Sequence, residues 1–155
     1  MKAIFVESAN GYLAKGPEDD MTWTPSLDKK LFKLMTFVLG GVCVCSLHTY
    51  TLLPKQVLND GERRFIIAEK TGLNSLVMLN KRFPNAVLVG GPRFLKAAYD
   101  LGVIDTFIVT TTETTIKNNP KYENPFENLL LCTDVQCCIK FSNMTIRIYK
   151  NDKYR

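Results

Sequence analysis

One acidic residue, Asp28, falls on the apolar side of a predicted helix that begins near Pro25. The apolar residues of this helix recur at helical spacing: Leu27, Leu31, Leu34, Met35 and Val38. At about 100° per residue, Asp28 lies on the same arc, between Phe32 and Met35. Loss of water there would raise the pKa of the carboxyl, the usual condition of a catalytic or ligand-anchoring acid. The alternative is a solvated carboxylate favoured by the helix dipole in the first turn, and position alone leaves both open.

A glycine pair, Gly90-Gly91, follows a short apolar strand and precedes a helix that begins at Pro92. Amides at a helix N-terminus carry partial positive charge, and glycine lets a diphosphate approach without a Cβ in the way. Arg93 adds a cation one residue beyond Pro92. The pair is therefore a candidate phosphate cradle, although a tight turn between strand and helix requires glycine for its geometry alone.

A third candidate is the junction Ser46 to Tyr50, where a buried strand leads into a probable helix. The amides there and the Thr49 hydroxyl favour a second anion site. A lone histidine such as His48 is more often a capped or half-buried side chain, so this junction also has an ordinary structural interpretation.

The elements that must position these residues alternate between strands and helices. The pattern predicts five strands, at Lys2–Ser8, Val42–Ser46, Phe65–Ala68, Ala86–Val89 and Ile104–Thr110. It predicts three helices: one that has Thr24 as its N-cap and Pro25 as its first residue, one at Leu73–Lys81 and one at Pro92–Asp100. Residues 135–141 and 144–149 are predicted to form an antiparallel hairpin with its turn at Ser142-Asn143. A strand, helix and strand in succession form a parallel βαβ unit with a right-handed crossover. The prediction is an α/β fold with a mostly parallel central sheet flanked by helices and a C-terminal antiparallel hairpin. Ligands in such sheets lie at the carboxyl ends of the strands.

Length and composition restrict the class of protein. The 155 residues, 46% hydrophobic and 23% charged, fit one globular domain over residues 1–155. The net charge of +5 suits an anionic ligand, but no basic stripe indicates nucleic acid. The N-terminus lacks a signal-peptide core, and the apolar stretch Leu34–Leu47 is interrupted by Gly40-Gly41 and shorter than the roughly 18 residues of a membrane helix. We therefore expect a cytoplasmic protein with no membrane partner, as a monomer or homodimer.

Metal binding is not expected from the cysteine and histidine content. Five cysteines lack the CxxC spacing of zinc or redox sites, and His48 is the one histidine. We expect no metal, and we expect the cysteines to be reduced thiols in the core.

An ordered set of residues over nearly the whole chain resembles dihydrofolate reductase. No single motif is specific, but the order and spacings match. The residues that carry the resemblance are Trp23, Asp28, Phe32, Lys33, Thr36, His48, Thr49, Tyr50, Arg63 to Ile67, Val89 to Gly91, and Thr110.

This resemblance implies NADPH-dependent reduction of dihydrofolate to tetrahydrofolate. By similarity, Asp28 anchors the pterin and promotes protonation of the ring nitrogen beside the carbon that accepts the hydride. Thr110 braces Asp28 through its hydroxyl, and Trp23 completes the implied catalytic set. The implied substrate contacts are Phe5, Val6, Asp28, Phe32, which packs on the rings, Arg63, which pairs with the glutamyl tail carboxylate, and Thr110.

The same resemblance implies a cofactor site. The loop from Ala14 to Trp23 would close over the nicotinamide, and Lys70 would meet the 2′-phosphate. The diphosphate would lie between the His48-Thr49 junction and the glycine pair. The implied cofactor-binding residues are Ala14, Leu47, His48, Thr49, Lys70, Val89, Gly90, Gly91, Pro92 and Arg93.

Two alternatives stay open. The segments Asn10 to Ala14, Gly90 to Pro92 and Gly102 to Asp105 are similar to the related reductase domain of riboflavin biosynthesis, which reduces a ribosylaminopyrimidine. The second alternative is a non-catalytic binding or structural protein with the reductase scaffold. It stays open because Leu47 stands where the family carries an arginine near the cofactor phosphates, and because Pro92 removes a backbone N–H donor from the phosphate site.

Overall fold

The protein is described by a computed structural model, which covers residues 1–151. Seven strands form one continuous sheet: β1 Lys2–Glu7, β2 Val42–Cys45, β3 Arg64–Ile67, β4 Val87–Val89, β5 Thr106–Thr112, β6 Val135–Lys140 and β7 Met144–Lys150. Six α-helices accompany them within residues 1–151: α1 Ser26–Val38, α2 Leu47–Leu52, α3 Lys55–Leu58, α4 Leu76–Arg82, α5 Pro92–Asp100 and α6 Glu127–Leu131. A 3₁₀ turn spans Pro120–Tyr122.

The strand order is β3-β2-β4-β1-β5-β7-β6. Strands β1 to β5 are parallel to one another, and the hairpin of β6 and β7 adds to β5 in the antiparallel direction. The predicted α/β class, the mostly parallel sheet and the C-terminal antiparallel pair are confirmed. The architecture is consistent with a dihydrofolate-reductase-like fold.

The two faces of the sheet are covered by different helices because alternate side chains of a strand point to opposite sides. Ile4, Ile108 and Ile146 face α1. The other face packs against α4, α5 and α6, and its centre is an aromatic cluster of Phe5, Tyr99, Phe107 and Phe126 with ring centroids 4.9–6.2 Å apart. Asp28 on α1 therefore lies on the face opposite this cluster.

Two predicted helix starts are wrong. Pro25, not Thr24, is the N-cap of α1, and the Thr24 hydroxyl donates instead to the carbonyl of Met21 at 2.8 Å. Met21 has a φ of 61°, so the chain turns sharply just before the helix. Helix α4 begins at Leu76 rather than Leu73 because the Ser75 side chain caps it by accepting from the Met78 amide.

The prediction that the cysteines are core thiols is correct for only two of the five. Cys43 and Cys45 are buried in β2, whereas Cys132, Cys137 and Cys138 are exposed, and all five are free. All six residues of β6 are exposed because it is the last strand of the sheet. Alternation predicted the strand correctly but did not show that both of its faces remain open.

No helix within residues 1–151 combines the length and apolar character needed to cross a bilayer.

Candidate functional site

The carboxyl ends of β1 and β4, at the centre of the sheet, mark the topological switch point at which a ligand crevice is expected. These strands are parallel neighbours, yet β1 leads to α1 on one face and β4 leads to α5 on the other. Connections that leave adjacent strands in opposite directions open a gap in which α/β proteins bind ligands.

Asp28 and Thr110 are brought together by the fold on the sheet face that α1 covers. Burial raises the pKa of Asp28, while a hydrogen bond with the Thr110 side chain and the charge of Lys29 oppose the rise. Thr110 is only 2% exposed and is the register partner of Val6 on β1. The structure therefore brings Asp28, Thr110 and Val6 to one place, and the carboxyl is held in a water-poor setting.

Of the two phenylalanines expected at the substrate, only Phe32 has its side chain on this face. Phe32 lies one turn after Asp28 and packs against the cluster that α1 covers. Phe5 points to the opposite face, where its ring centroid is 6.0 Å from that of Phe126. The Phe5 side chain therefore does not face Asp28, whereas its neighbour Val6 does, because successive strand residues alternate.

Arg63 sits just before β3 and is held by an acid that the sequence analysis missed. Its Nε donates to Asp60 Oδ2 at 2.7 Å, and its guanidinium lies 5.6 Å from the Phe65 ring centroid. The side chains of Arg63 and Asp60 are 6% and 9% exposed. The spacing of three residues between the opposite charges of Asp60 and Arg63 is the sequence signal that could have indicated this ion pair. The pairing engages Nε, and the terminal nitrogens make no side-chain hydrogen bond within residues 1–151.

We expect the Asp60–Arg63 pair to confer acid-dependent stability. Burial of the Asp60 carboxyl raises its pKa, but hydrogen bonds from the Arg63 side chain and from the amides of Glu62 and Arg63 outweigh this effect and lower the pKa to about 2. A lowered pKa stabilises the fold above the ordinary value near 4, and this contribution is lost as the pH falls toward 2.

Urea unfolding at about pH 5 and about pH 3 measures the loss. Asp60→Asn should be less stable than the wild type at the higher pH and should show a smaller decrease between the two. Asp100→Asn is the matched control because Asp100 forms an exposed pair with Lys96. An equal decrease in the wild type and Asp60→Asn would contradict the assignment.

The loop of residues 14–23 is organised around Asp19. Its carboxylate accepts from the amides of Lys15 at 2.7 Å and Met21 at 2.8 Å, and from Trp23 Nε1 at 2.8 Å. Trp23 is therefore anchored within the loop itself. Asp19 was not singled out from the sequence, since nothing in the local pattern distinguishes it from the adjacent Asp20.

His48 contacts this loop rather than standing free for a phosphate. Its Nε2 lies 2.9 Å from the carbonyl oxygen of Pro17, and a carbonyl only accepts, so Nε2 carries the proton. Thr49 is also engaged, because its amide donates to Ser46 Oγ at 3.2 Å. The junction therefore has the ordinary structural role that was the alternative to an anion site: Ser46 caps α2, and His48 links α2 to the loop of residues 14–23.

The two adjacent glycines have different surroundings. A Cβ on Gly90 would lie 2.7 Å from Phe94 Cδ1, so the packing of α5 requires this glycine. A Cβ on Gly91 would meet nothing within 4 Å. Gly91 is the N-cap of α5, where no side chain caps the helix and the first amides stay open. The space beside Gly91 and the first amides of α5 is therefore open.

The other predicted cofactor residues surround the same edge of the sheet. Val89 ends β4 opposite Cys45 and is half-buried, as is Ala14, and Pro92 is buried at the first position of α5. Leu47 is 62% exposed. Lys70 and Arg93 are exposed, and neither takes part in a salt bridge within residues 1–151. The open amides at Gly91 and these cations fit a phosphorylated cofactor.

The comparisons with known proteins add no identification. A scan against models of protein families gave no match, and a search of curated proteins gave none either. Within residues 1–151, no group of three or more His, Cys, Asp or Glu side chains is arranged to hold a metal ion. The residues that indicate a function are therefore those of the candidate site itself: Asp28, Thr110, Arg63 and Gly91.

Proposed function

We propose that the protein is an NADPH-dependent reductase that converts dihydrofolate to tetrahydrofolate. The observation that carries the proposal is Asp28, whose half-buried carboxyl has a pKa raised by burial and a hydrogen bond with Thr110 at the carboxyl end of β5, next to β1. A carboxyl in this setting binds a ring amidine and favours protonation of a nearby ring nitrogen. NADPH, when bound, supplies the hydride.

The arrangement along α1 suits an elongated substrate. Asp28 is in the first turn of α1, and Phe32 lies one turn further along, about 6 Å at 1.5 Å per residue. Since α1 returns the chain from the carboxyl end of β1 to the start of β2, it runs antiparallel to the strands. Arg63, at the start of β3, therefore lies toward the far end of α1, where Lys33 pairs with Glu62 at 3.4 Å.

This order predicts which parts of the ligand meet which residues. The polar ring would be held by Asp28, the aromatic middle would pack on Phe32, and the anionic tail would pair with Arg63. A guanidinium oriented by Asp60 presents two donors to a carboxylate, which is the geometry that arginine offers and lysine does not.

Backbone amides and cationic side chains that could hold the phosphates of the cofactor lie at the opposite edge of the expected crevice. Gly91 gives close access to the first amides of α5, and Arg93 and Lys70 supply positive charge for phosphates. The loop of residues 14–23, tied to α2 through His48 and Pro17, would exclude water from the space beside Asp28.

The proposal is tested by NADPH fluorescence titration followed by an assay of NADPH oxidation with and without dihydrofolate. We expect saturable NADPH binding and oxidation that requires dihydrofolate. Asp134→Asn, a substitution of an exposed carboxylate before β6, should behave as the wild type. NADPH binding without turnover of dihydrofolate would contradict the substrate assignment, and a ribosylaminopyrimidine tested in parallel would show whether the pyrimidine reductase alternative holds.

A non-catalytic binding protein on the same scaffold is the second candidate. It is favoured by the internal use of His48 and Thr49 and by the exposed Leu47, which leave fewer free groups for the diphosphate. Absence of NADPH binding at millimolar concentration would select this candidate over both reductases.

A further inference from the structure

A second cavity lies on the face of the sheet opposite Asp28. Its volume is about 590 Å³, within the range of small-molecule sites. Val109 and Thr111 of β5 and Arg147 and Tyr149 of β7 line it, and Glu7 of β1 and residues of α6 complete the wall. None of these residues has a part in the proposed reductase site, so the cavity is a separate feature of the molecule.

Opposite charges stand at the two sides of this cavity without pairing. Glu7 is held by Thr111, whose hydroxyl donates to Oε1 at 2.8 Å, and by Asn124, whose Nδ2 donates to Oε2 at 2.8 Å. Each carboxylate oxygen keeps capacity for another donor. In the part of the chain that the structure describes, neither Glu7 nor Arg147 is in a salt bridge, and the Arg147 guanidinium has no hydrogen-bond partner.

The separation of these charges follows from the sheet. Glu7 is on β1 and Arg147 is on β7, with β5 between them, so two strand spacings of about 4.8 Å put them about 10 Å apart across the strands. Both charges act on Tyr149: burial raises the pKa of its phenol, Arg147 lowers it and Glu7 raises it. Glu7 is the register partner of Thr111 and Arg147 that of Val109, so the two residues are also offset by two positions along β5, and their charged groups form no salt bridge with each other.

We propose that this cavity binds a small amino carboxylic acid, with the ligand carboxylate on Arg147 and a ligand ammonium group on Glu7. Arginine and carboxylate form paired hydrogen bonds, and the half-buried Glu7 provides a complementary acceptor for an ammonium group. Glu127 at the rim makes the lining net negative, which favours a ligand with a second ammonium group. Leu130 and Val109 offer apolar surface to an aliphatic chain between them.

Three related probes test the proposal: L-lysine, hexanoate, which lacks the ammonium groups, and 1,5-diaminopentane, which lacks the carboxylate. Each is titrated into ¹⁵N-labelled protein, and amide shifts are followed by NMR. We expect saturable shifts at Gly11 and Thr111 with L-lysine, and binding at least about tenfold weaker with the other two, equivalent to about 1.4 kcal/mol.

Matched variants decide whether the named side chains are responsible. Arg147→Gln and Glu7→Gln should each weaken L-lysine binding at least about tenfold, whereas Lys150→Gln, at the exposed end of β7, should not change it. Since Glu7→Gln disturbs two internal hydrogen bonds, Arg147→Lys provides a second variant that keeps the charge and loses the paired geometry. Equal binding of L-lysine and 1,5-diaminopentane, no saturable shift, or unchanged binding by Arg147→Gln would overturn the proposal.

Discussion

Asp28→Asn should lower the turnover number for dihydrofolate by about 10²–10⁴-fold, the range typical of a lost general acid or base. Asparagine is nearly isosteric and keeps an oxygen for the hydrogen bond with Thr110, but it neither ionises nor exchanges a proton with the substrate. Steady-state kinetics of NADPH oxidation measures the effect, with Asp134→Asn as control. Wild-type turnover in Asp28→Asn would remove the role assigned to this carboxyl.

The same substitution should increase the free energy of unfolding at neutral pH. Because burial raises the pKa of Asp28, the folded state binds its proton more tightly than the unfolded chain does. The contribution of Asp28 to stability is thus fully present below its ordinary pKa and is lost as the pH rises through the raised value. The stability advantage of Asp28→Asn should be present at neutral pH and should shrink toward about pH 4, as measured by urea unfolding. An advantage that does not change with pH would show that burial of the charge is not its cause.

Gly91→Ala should weaken NADPH binding at least about tenfold, which corresponds to about 1.4 kcal/mol. The added Cβ occupies the open space beside the first amides of α5, where the diphosphate would approach. The fold should tolerate this change, since the φ of −79° and ψ of 179° suit alanine and the loss of an N-cap glycine costs about 1 kcal/mol or less.

Gly90→Ala is the matched comparison because it changes the neighbouring residue in the same way. Its Cβ would lie 2.7 Å from Phe94 Cδ1, so the Phe94 ring must move, and overpacking of this kind costs about 1–3 kcal/mol. Fluorescence titration and urea unfolding of both variants separate the two effects. If NADPH binds Gly91→Ala as tightly as the wild type, the glycine pair serves only the turn.

The parts of the site that the sequence predicted correctly depend on short-range patterns. Helical spacing put Asp28 on the apolar arc of α1, and the succession of strand, glycine pair and helix indicated the β4 to α5 connection. Both patterns reflect local backbone geometry, which repeats every few residues whatever the rest of the fold does. The hairpin of β6 and β7 was found for the same reason.

The partners of these residues were not predictable in the same way. Asp19 and Asp60 organise Trp23 and Arg63, yet each is one of several acids in a polar segment, and which acid pairs is decided by loop conformation. His48 was expected at a phosphate, but the folded chain brings Pro17 to its ring across 31 residues. Such contacts depend on how distant segments pack.

By itself the sequence determined the alternation of strands and helices, the place of Asp28 on the apolar side of α1 and the glycine turn before α5. Only the tertiary structure decided that Phe5 turns away from Asp28, that β6 lies at an open edge with its cysteines exposed, and that Glu7 and Arg147 face one cavity. The physical reason is that alternation along a strand fixes two faces without saying which one meets a helix. That choice follows from the strand order, which is set by the packing of the whole chain.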